Sequence, residues 1–579
     1  MKKVKIKRNV VVMLVVALTL VGIMSGCVNS KSSVNNTETN TSESKNESTV
    51  PNEAKKEEPQ TIKLYYTFAQ TGPITGWLGD YLLEQGLKVE NIPTDDAKLQ
   101  AMIVSGDLPD VVFTNTDRIN ELINANLLLN LDDHLGKLPN VVQNASTALD
   151  YMRTHRSNGS GKLYGVPFNV GDYKMNVDTG VYAINVRWDI YKAIGAPKAK
   201  TLEDLIPILK AMQEKYPKTE TGEKTYALNM FSSNDKGVRL YNMSTLLTVL
   251  GYHESANQNC INYNIKKNVV TSLLDDNEVY LRGLKFFYQL NKNGLLEPDG
   301  VTQTKATSDA KIKTGAYIAT GFAGYIGTYN TQERMDAGIG YRPIIFDEFI
   351  ASTMGDYPVG AGSYFIISKN TKNINASLKF MDLIASPDAL MTIWNGPKGE
   401  LWDINANGKP YAKDTYYEYL KTGKHTLASG EEFVSYGNPF ILRGETQHPK
   451  YGNALSMGNW PEVQEKINDN ALYNSWSDTY GYKFPVDLME AQDRIAKRPL
   501  GYQSFLEKTP DDLNLVKNTV TNLIVNNSWK MIYAKDENEF NKLWKETKEQ
   551  AIALGYEDVV KWAKEAISKA DALAAPYVD

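Results

Sequence analysis

The residues able to do chemistry are few. Five histidines, at positions 134, 155, 253, 425 and 448, are all the imidazole the chain offers, too scattered for local metal-ligand spacing. The sequence has no G-x-S-x-G elbow around a nucleophilic serine, no phosphate-cradling G-x-x-x-x-G-K, no H-E-x-x-H and no C-x-x-C. Two carboxylates suffice for glycoside cleavage. With 68 Asp and Glu in the chain, however, pairs arise by chance and carry no signal. Cys27 and Cys260 are the only thiols, and Cys260, with no histidine near it in sequence, reads as a small core residue. No metal and no cofactor is expected. What remains plentiful is recognition chemistry: 34 tyrosines and nine tryptophans, more than a core alone requires.

The elements that must position such residues are legible from Thr61 onward. Ile62 to Phe68 alternates and is rich in β-formers, a first strand. Gly72, Pro73 and Gly76 make a loop before an amphipathic helix over Trp77–Gln85, and Leu87–Ile92 reads as a second strand. Asp95 caps a helix through Ile103 that ends at Gly106. Val111-Val112-Phe113 is a short apolar strand of the buried parallel kind, with Asn115 and Thr116 just past its carboxyl end. Strand and helix alternating in this way predict a parallel α/β layer. Ligands of open sheets bind beyond the carboxyl ends of the strands. That geometry nominates Thr67, Phe68, Asn115 and Thr116, with Tyr66 and Trp77 flanking the first loop. Farther on, Thr201 caps an amphipathic helix to Lys215, bent by Pro207, and a helix over Leu273–Leu296 carries Leu281, Leu284, Phe287 and Tyr288 on its apolar face. Another helix runs over Asn375–Trp394, and Asp536 with Glu539 opens one that ends at Gly555.

The first 27 residues speak to location. Lys2, Lys3, Lys5, Lys7 and Arg8 precede an apolar run over Val10–Ile23, which is shorter than the ~20 residues of a membrane-spanning helix. Ser25-Gly26-Cys27 resembles the lipobox of bacterial lipoproteins, in which Cys27 is acylated and becomes the first mature residue; Met24 stands where leucine is usual. Residues 1–26 are thus expected to be a signal peptide and 27–60, polar and free of aromatics, a disordered tether with a root-mean-square span of roughly 30 Å. Loss of residues 1–26 leaves 58 Lys and Arg against 68 Asp and Glu, a net charge of −10 that argues against nucleic acid as a partner.

Several stretches together resemble the extracellular solute-binding proteins of ABC importers. They are the lipobox, Ser105-Gly106-Asp107-Leu108-Pro109-Asp110, Tyr164-Gly165-Val166-Pro167, Asn185-Val186-Arg187-Trp188-Asp189 and Gly195-Ala196-Pro197. Gly362 to Ser368, Asn395 to Trp402, Asn538 to Trp544 and Leu554-Gly555-Tyr556 agree, so the likeness runs from 61 to 579. Within that group the chain is most similar to the large carbohydrate-type lipoproteins of Gram-positive bacteria, the LplA-like set related to alginate-binding proteins.

The resemblance implies an α/β fold of two lobes around a hinged cleft. Residues 61–172 and 358–400 would form the first lobe, and 173–357 with 401–579 the second, with crossings near 170 and 358. Loops of 400–510 would roof the cleft. It implies a lipid-anchored protein on the outer face of the cell membrane, monomeric and not an enzyme, that delivers an oligosaccharide to ABC permease subunits. The alternatives are an oligopeptide-binding lipoprotein and a surface enzyme that cleaves glycosides. Sugars present apolar C–H faces and rings of hydroxyls, so the site needs flat aromatics beside amides and carboxylates. Asn169, Asp172 and Tyr173 lie at the first crossing, and Tyr325, Trp394, Glu400 and Trp402 match sugar contacts of the family. Several relatives carry a calcium loop after the helix of 201–215. Here Lys218 to Tyr226 supplies only Glu220 and Glu223, too few oxygens for that ion, and no metal is assigned.

Overall fold

The computed structural model describes residues 58–67, 70–173, 183–234, 237–238, 240–321, 326–435, 437 and 439–578. The signal peptide, Cys27, nearly all of the tether, Phe68 and Tyr325 lie outside the described residues. Everything from Glu57 onward belongs to one compact unit.

Two large apolar cores organise that unit, beside a small third cluster of Ile312, Tyr317, Ile326, Tyr329 and Tyr341. The first surrounds a six-stranded sheet in the order Gly72–Pro73, Leu87–Ile92, Gln60–Tyr65, Val111–Asn115, Ser363–Ile367, Val166–Pro167. Gln60–Tyr65 runs parallel to both Leu87–Ile92 and Val111–Asn115. Ser363–Ile367, arriving from far along the chain, closes antiparallel onto Val111–Asn115 and Val166–Pro167. Local rules hold well here. Ile62 and Leu64 are sealed on the inward side of the first strand. Asp95 accepts a hydrogen bond from the Lys98 N–H (2.6 Å) to start the helix Asp96–Ser105, and Gly106, at φ 74°, ends it in the left-handed conformation that glycine adopts freely. The second core surrounds a four-stranded sheet, Tyr341–Pro343, Asn185–Arg187, Tyr317–Thr320 and Tyr226–Leu228, wrapped by helices.

Four expectations need correction. The helix after Thr201 is Leu205–Lys215, so Pro207 falls in its first turn, where the missing N–H has no intrahelical acceptor to lose. The stretch 273–296 holds a shorter helix, Val279–Lys292, because Val269–Ser272 pairs with Ile261–Asn264 as a hairpin just before it. The stretch 375–394 is two helices, Ile374–Leu383 and Pro387–Asn395; Ser386 caps the second and Pro387 opens it. The region 400–510 is not loop throughout, since it contains the helices Asp414–Thr422, Pro461–Ile467, Ala471–Tyr480 and Pro485–Ala491.

Core membership also divides the chain differently beyond 401. Leu401, Leu427, Ile441, Leu455, Trp460 and Val463 are buried in the first core, not the second. Leu472, Trp476, Ile524, Trp544 and Ile567 belong to the second. The final helix, Tyr556–Ala574, starts in the second core and ends with Ala570 and Ala574 in the first. The chain therefore passes between the cores several times, and not only near 170 and 358.

Candidate functional site

At the carboxyl end of the first sheet, side chains from neighbouring strands line up across it. Tyr65 pairs with Val112, which sets the next residue, Tyr66, level with Phe113. Phe113 lies opposite Phe365, and Phe365 opposite Val166, two residues before Phe168. The rings follow that register. Tyr66 and Phe113 are 5.1 Å apart between centroids, Phe113 and Phe365 5.0 Å, Phe113 and Phe168 5.2 Å. The row continues off the sheet through Phe440, 4.6 Å from Phe168, to Trp394 at the end of Pro387–Asn395, 4.5 Å from Phe440. Phe365 and Tyr66 are buried as its floor, whereas Phe113, Phe168, Phe440 and Trp394 are half-buried. Burial pushes the Tyr66 hydroxyl up to about 12, so it stays a neutral hydrogen-bonding group at physiological pH. The Trp394 indole N–H has no acceptor among the described residues.

The first crossing adjoins this row. Asn169 turns the chain at φ 64° immediately after Phe168. Gly171 and Tyr357 then exchange backbone hydrogen bonds of 3.1 and 3.0 Å, joining the two crossing segments. The Tyr173 N–H donates to Asp356 (2.7 Å) and Asp172 is exposed. The Arg443 guanidinium lies over both tyrosine rings, 4.9 Å from the centroid of Tyr173 and 5.0 Å from that of Tyr357, and its backbone N–H donates to the Val170 carbonyl. A buried cation held against two ring faces braces the two crossing segments against each other.

Asn115 sits at the strand end as expected, but its side-chain oxygen is engaged in capping Thr116–Asn124, accepting from the Asp117 and Arg118 N–H groups at 3.1 Å each. Thr116 donates to the Gly362 carbonyl (3.1 Å) and meets the Tyr364 hydroxyl (2.9 Å), on the sheet face opposite the row. Three other candidates are braces of the first core. Trp77 stacks on Phe433 and its indole donates to the Val434 carbonyl (2.9 Å). Trp402 is 4 % exposed and donates to the Gly396 carbonyl (2.9 Å), so it has no free face for a ligand. Glu400 accepts from the Ala428 N–H (2.8 Å) and meets His425 Nε2 (3.2 Å), which ties down the loop around 425–428.

Thus Tyr66 and Trp394 come together in the row, and Asn169, Asp172 and Tyr173 gather at the crossing beside it. Phe113, Phe168, Phe365 and Phe440 are additional. Phe113 and Phe168 stand next to stretches whose strand-end position already signalled a site, but nothing local marks Phe440. Among the described residues no three His, Cys, Asp or Glu side chains are placed to hold a metal ion. The turn after Leu205–Lys215 closes on itself, Thr219 N–H to the Glu223 carbonyl (2.8 Å) and Gly222 N–H to the Thr219 carbonyl (2.9 Å).

Known proteins share this architecture. A human-milk-oligosaccharide (HMO) binding, ABC-transporter-associated solute-binding protein from Bifidobacterium longum infantis superposes with a TM-score of 0.55 at 16% identity, covering 88% of this chain and 98% of that one. An EF-hand mutant of the Streptococcus pneumoniae ABC-transporter substrate-binding protein FusA, solved in complex with fructo-nystose, gives a TM-score of 0.56 at 15% identity, over 89% of this chain and 100% of that one. In sequence, the fructooligosaccharide ABC transporter substrate-binding protein FusA of S. pneumoniae serotype 4 is 21% identical over 320 residues. That alignment takes in 52% of this chain and 56% of FusA, so the chain spans little more than half of that relative's length. The sequence profile of the bacterial extracellular solute-binding proteins matches residues 83–391, just over half of the chain, and on that match the chain belongs to the bacterial extracellular solute-binding protein family.

Proposed function

We propose that this protein captures an oligosaccharide outside the cell and hands it, chemically unchanged, to the permease subunits of an ABC importer. The observation that carries the reading is the aromatic row at the strand ends beside the crossing. Half-buried flat rings suit the apolar C–H faces of sugars, and they lie where open α/β sheets bind ligands. The relatives described above are named for fructooligosaccharide and human-milk-oligosaccharide binding, which supports the same class. Closure of the two lobes over the ligand would complete the site, with the Gly171–Tyr357 pairing and Arg443 at the pivot. The protein acts as a monomer and is held at the outer membrane face by lipid on Cys27, with 27–60 as tether.

The test is a thermal-shift and calorimetric screen against a glycan panel, with chromatography of each mixture after incubation. Saturable binding with the saccharide recovered intact is expected. Shortened products would reassign the protein to the glycoside-cleaving enzymes, and binding confined to peptides would reassign the ligand. For the anchor, Cys27→Ser should release the protein from the membrane; a variant retained there after processing would contradict the lipid attachment.

A further inference from the structure

Beyond the strand Ile495–Lys497 the chain leaves the second core, dips into the first and returns. Ile495 packs against the second core, Leu500 and Phe505 are buried in the first, and the next helix, Asp511–Ile532, buries Val520 and Ile524 in the second. At the far end of this excursion Gly501–Phe505 forms a π-turn, a rare geometry that recurs at functional sites. Its residues serve different cores. The Ser504 carbonyl accepts from the Tyr151 hydroxyl and from Arg156 Nη2 (2.8 Å each), and the Ser504 hydroxyl donates to the Gly360 carbonyl (3.2 Å). Those bonds tie the turn to the first core and to the crossing. Tyr502 reaches the other way. Its ring lies 4.2 Å from that of His253 and 5.9 Å from that of Tyr263, and its hydroxyl accepts from Asn259 Nδ2 (3.0 Å). Tyr263 belongs to the second core, and its carbonyl accepts the His253 N–H (2.9 Å). The turn is therefore a strap between the cores, with Tyr502 as its latch on the second.

The His253 seat suits only a neutral ring. Nδ1 accepts the Ser255 N–H (3.3 Å), which assigns the proton to Nε2, and that buried atom has no hydrogen-bond partner among the described residues. A second proton would have to sit on Nδ1, facing the Ser255 N–H. The charged neighbours do not rescue it. Arg498, in the strap, is a cation, and its partner Glu254 (2.6 Å) keeps its other oxygen 3.7 Å from Nδ1. Farther out, Lys517 meets Asn259 (3.4 Å), and Asp571 of the final helix packs on Gly501 and faces Tyr263. We infer that acid unlatches this strap: a protonated His253 must leave Tyr502, which frees the strap from the second core and loosens the link between the two cores. Burial and the Arg498 cation hold the seated imidazole down to about 3, against ~6.5 in water, so unlatching takes up a proton. The unlatched fraction should therefore rise about tenfold between pH 7.5 and 5.5. Glu254, raised by its own burial, pulls the other way, so the histidine must be isolated by a variant. Resting on the reading above, in which the lobes close on a saccharide, the same step weakens the hold on the ligand in acid.

Hydrogen exchange of the ligand-free full chain, read by mass spectrometry over residues 497–505 at pH 7.5 and 5.5, tests the latch without any ligand. His253→Gln is measured beside the parent at each pH, so that the intrinsic pH dependence of exchange cancels. Exchange of the strap in the parent, relative to the variant, should rise about tenfold from pH 7.5 to 5.5. A ratio that stays within twofold overturns the inference. If His253→Gln does not fold, the strand Gln60–Tyr65 of the parent serves as the reference in its place, with the same two outcomes. Tyr502→Ala should exchange faster over the strap than the parent at pH 7.5, and a strap as protected as the parent's would remove Tyr502 as the latch and overturn the inference too. A glycan panel that binds nothing would sink the saccharide reading and leave the exchange result to decide the latch alone.

Discussion

Gly360 offers the sharpest test of how the crossing supports the row. Its φ is +80°, and a Cβ built there would lie 2.5 Å from the Pro167 Cβ and 2.9 Å from the Phe168 carbonyl oxygen. Neither neighbour can step aside easily. Pro167 is in a strand paired with Tyr364, and the Phe168 carbonyl accepts the Ala361 N–H. Gly360 is itself tied in, through its N–H to the Tyr357 carbonyl (3.0 Å) and its carbonyl to the Ser504 hydroxyl (3.2 Å). Gly360→Ala therefore combines left-handed backbone strain of about 1–2 kcal/mol with overpacking of about 1–3 kcal/mol. A total of about 2–5 kcal/mol corresponds to a fall in Tm of roughly 2–5 °C, since a unit running from Glu57 to the end of the chain loses about 1 °C per kcal/mol. Gly430→Ala is the control: its φ is +87° but nothing lies within 4 Å of the added methyl, so it should show the strain alone. Differential scanning calorimetry on the two variants separates the contributions. Because the displaced atom is the Phe168 carbonyl, Gly360→Ala should also weaken ligand binding, and Gly430→Ala should not. If the two variants fall equally in Tm, close packing at this crossing has no part in stability and the reasoning is wrong.

Burial, helped by the nearby Arg498 cation, holds the His253 imidazole down to about 3, against ~6.5 in an unfolded chain. The unfolded chain takes up a proton that the folded chain refuses. The stability contributed by neutral His253 is therefore complete above pH ~6.5 and is lost as pH falls from there toward 3. Glu254, raised by its own burial and ion-paired with Arg498 (2.6 Å), titrates with the opposite sign. The His253→Gln variant measured against the parent by urea unfolding from pH 7 to 4 isolates the histidine; a flat difference would refute its burial in the neutral form. Trp402→Ala should cost about 3–5 kcal/mol in urea unfolding, as removal of a sealed aromatic does, and leave saccharide affinity of the folded protein unchanged. Weakened binding at unchanged stability would return Trp402 to the site.

Much of the first sheet was legible because its signals are local. Alternation over Ile62–Phe68 points to the strand that forms two residues earlier, at Gln60–Tyr65, and Asp95 and Gly106 bracket their helix by chemistry confined to one turn at each end. Ser386-Pro387 is just as local a signal, and it breaks the helix read through Asn375–Trp394. The site was legible only in part. Tyr66 could be nominated by type and strand-end position and Trp394 by its match to family sugar contacts, but the row exists because Ser363–Ile367 pairs with Val111–Asn115 in one register, information no window of sequence holds. Composition likewise cannot tell a tryptophan that faces a cleft from one that braces a core. For Trp77 and Trp402 the deciding facts are the distant Val434 carbonyl and the six-residue reach back to the Gly396 carbonyl. Nor does sequence show that Leu427, Ile441 and Trp460 return to the first core, since apolar residues there could have covered either one.

A crystal structure of the full chain with a bound oligosaccharide tests the central claim most directly. The account predicts successive sugar rings on Phe113, Phe168, Phe440 and Trp394, every glycosidic bond intact, beside the Gly171–Tyr357 crossing. A saccharide seated elsewhere, with that row still bare, would contradict it.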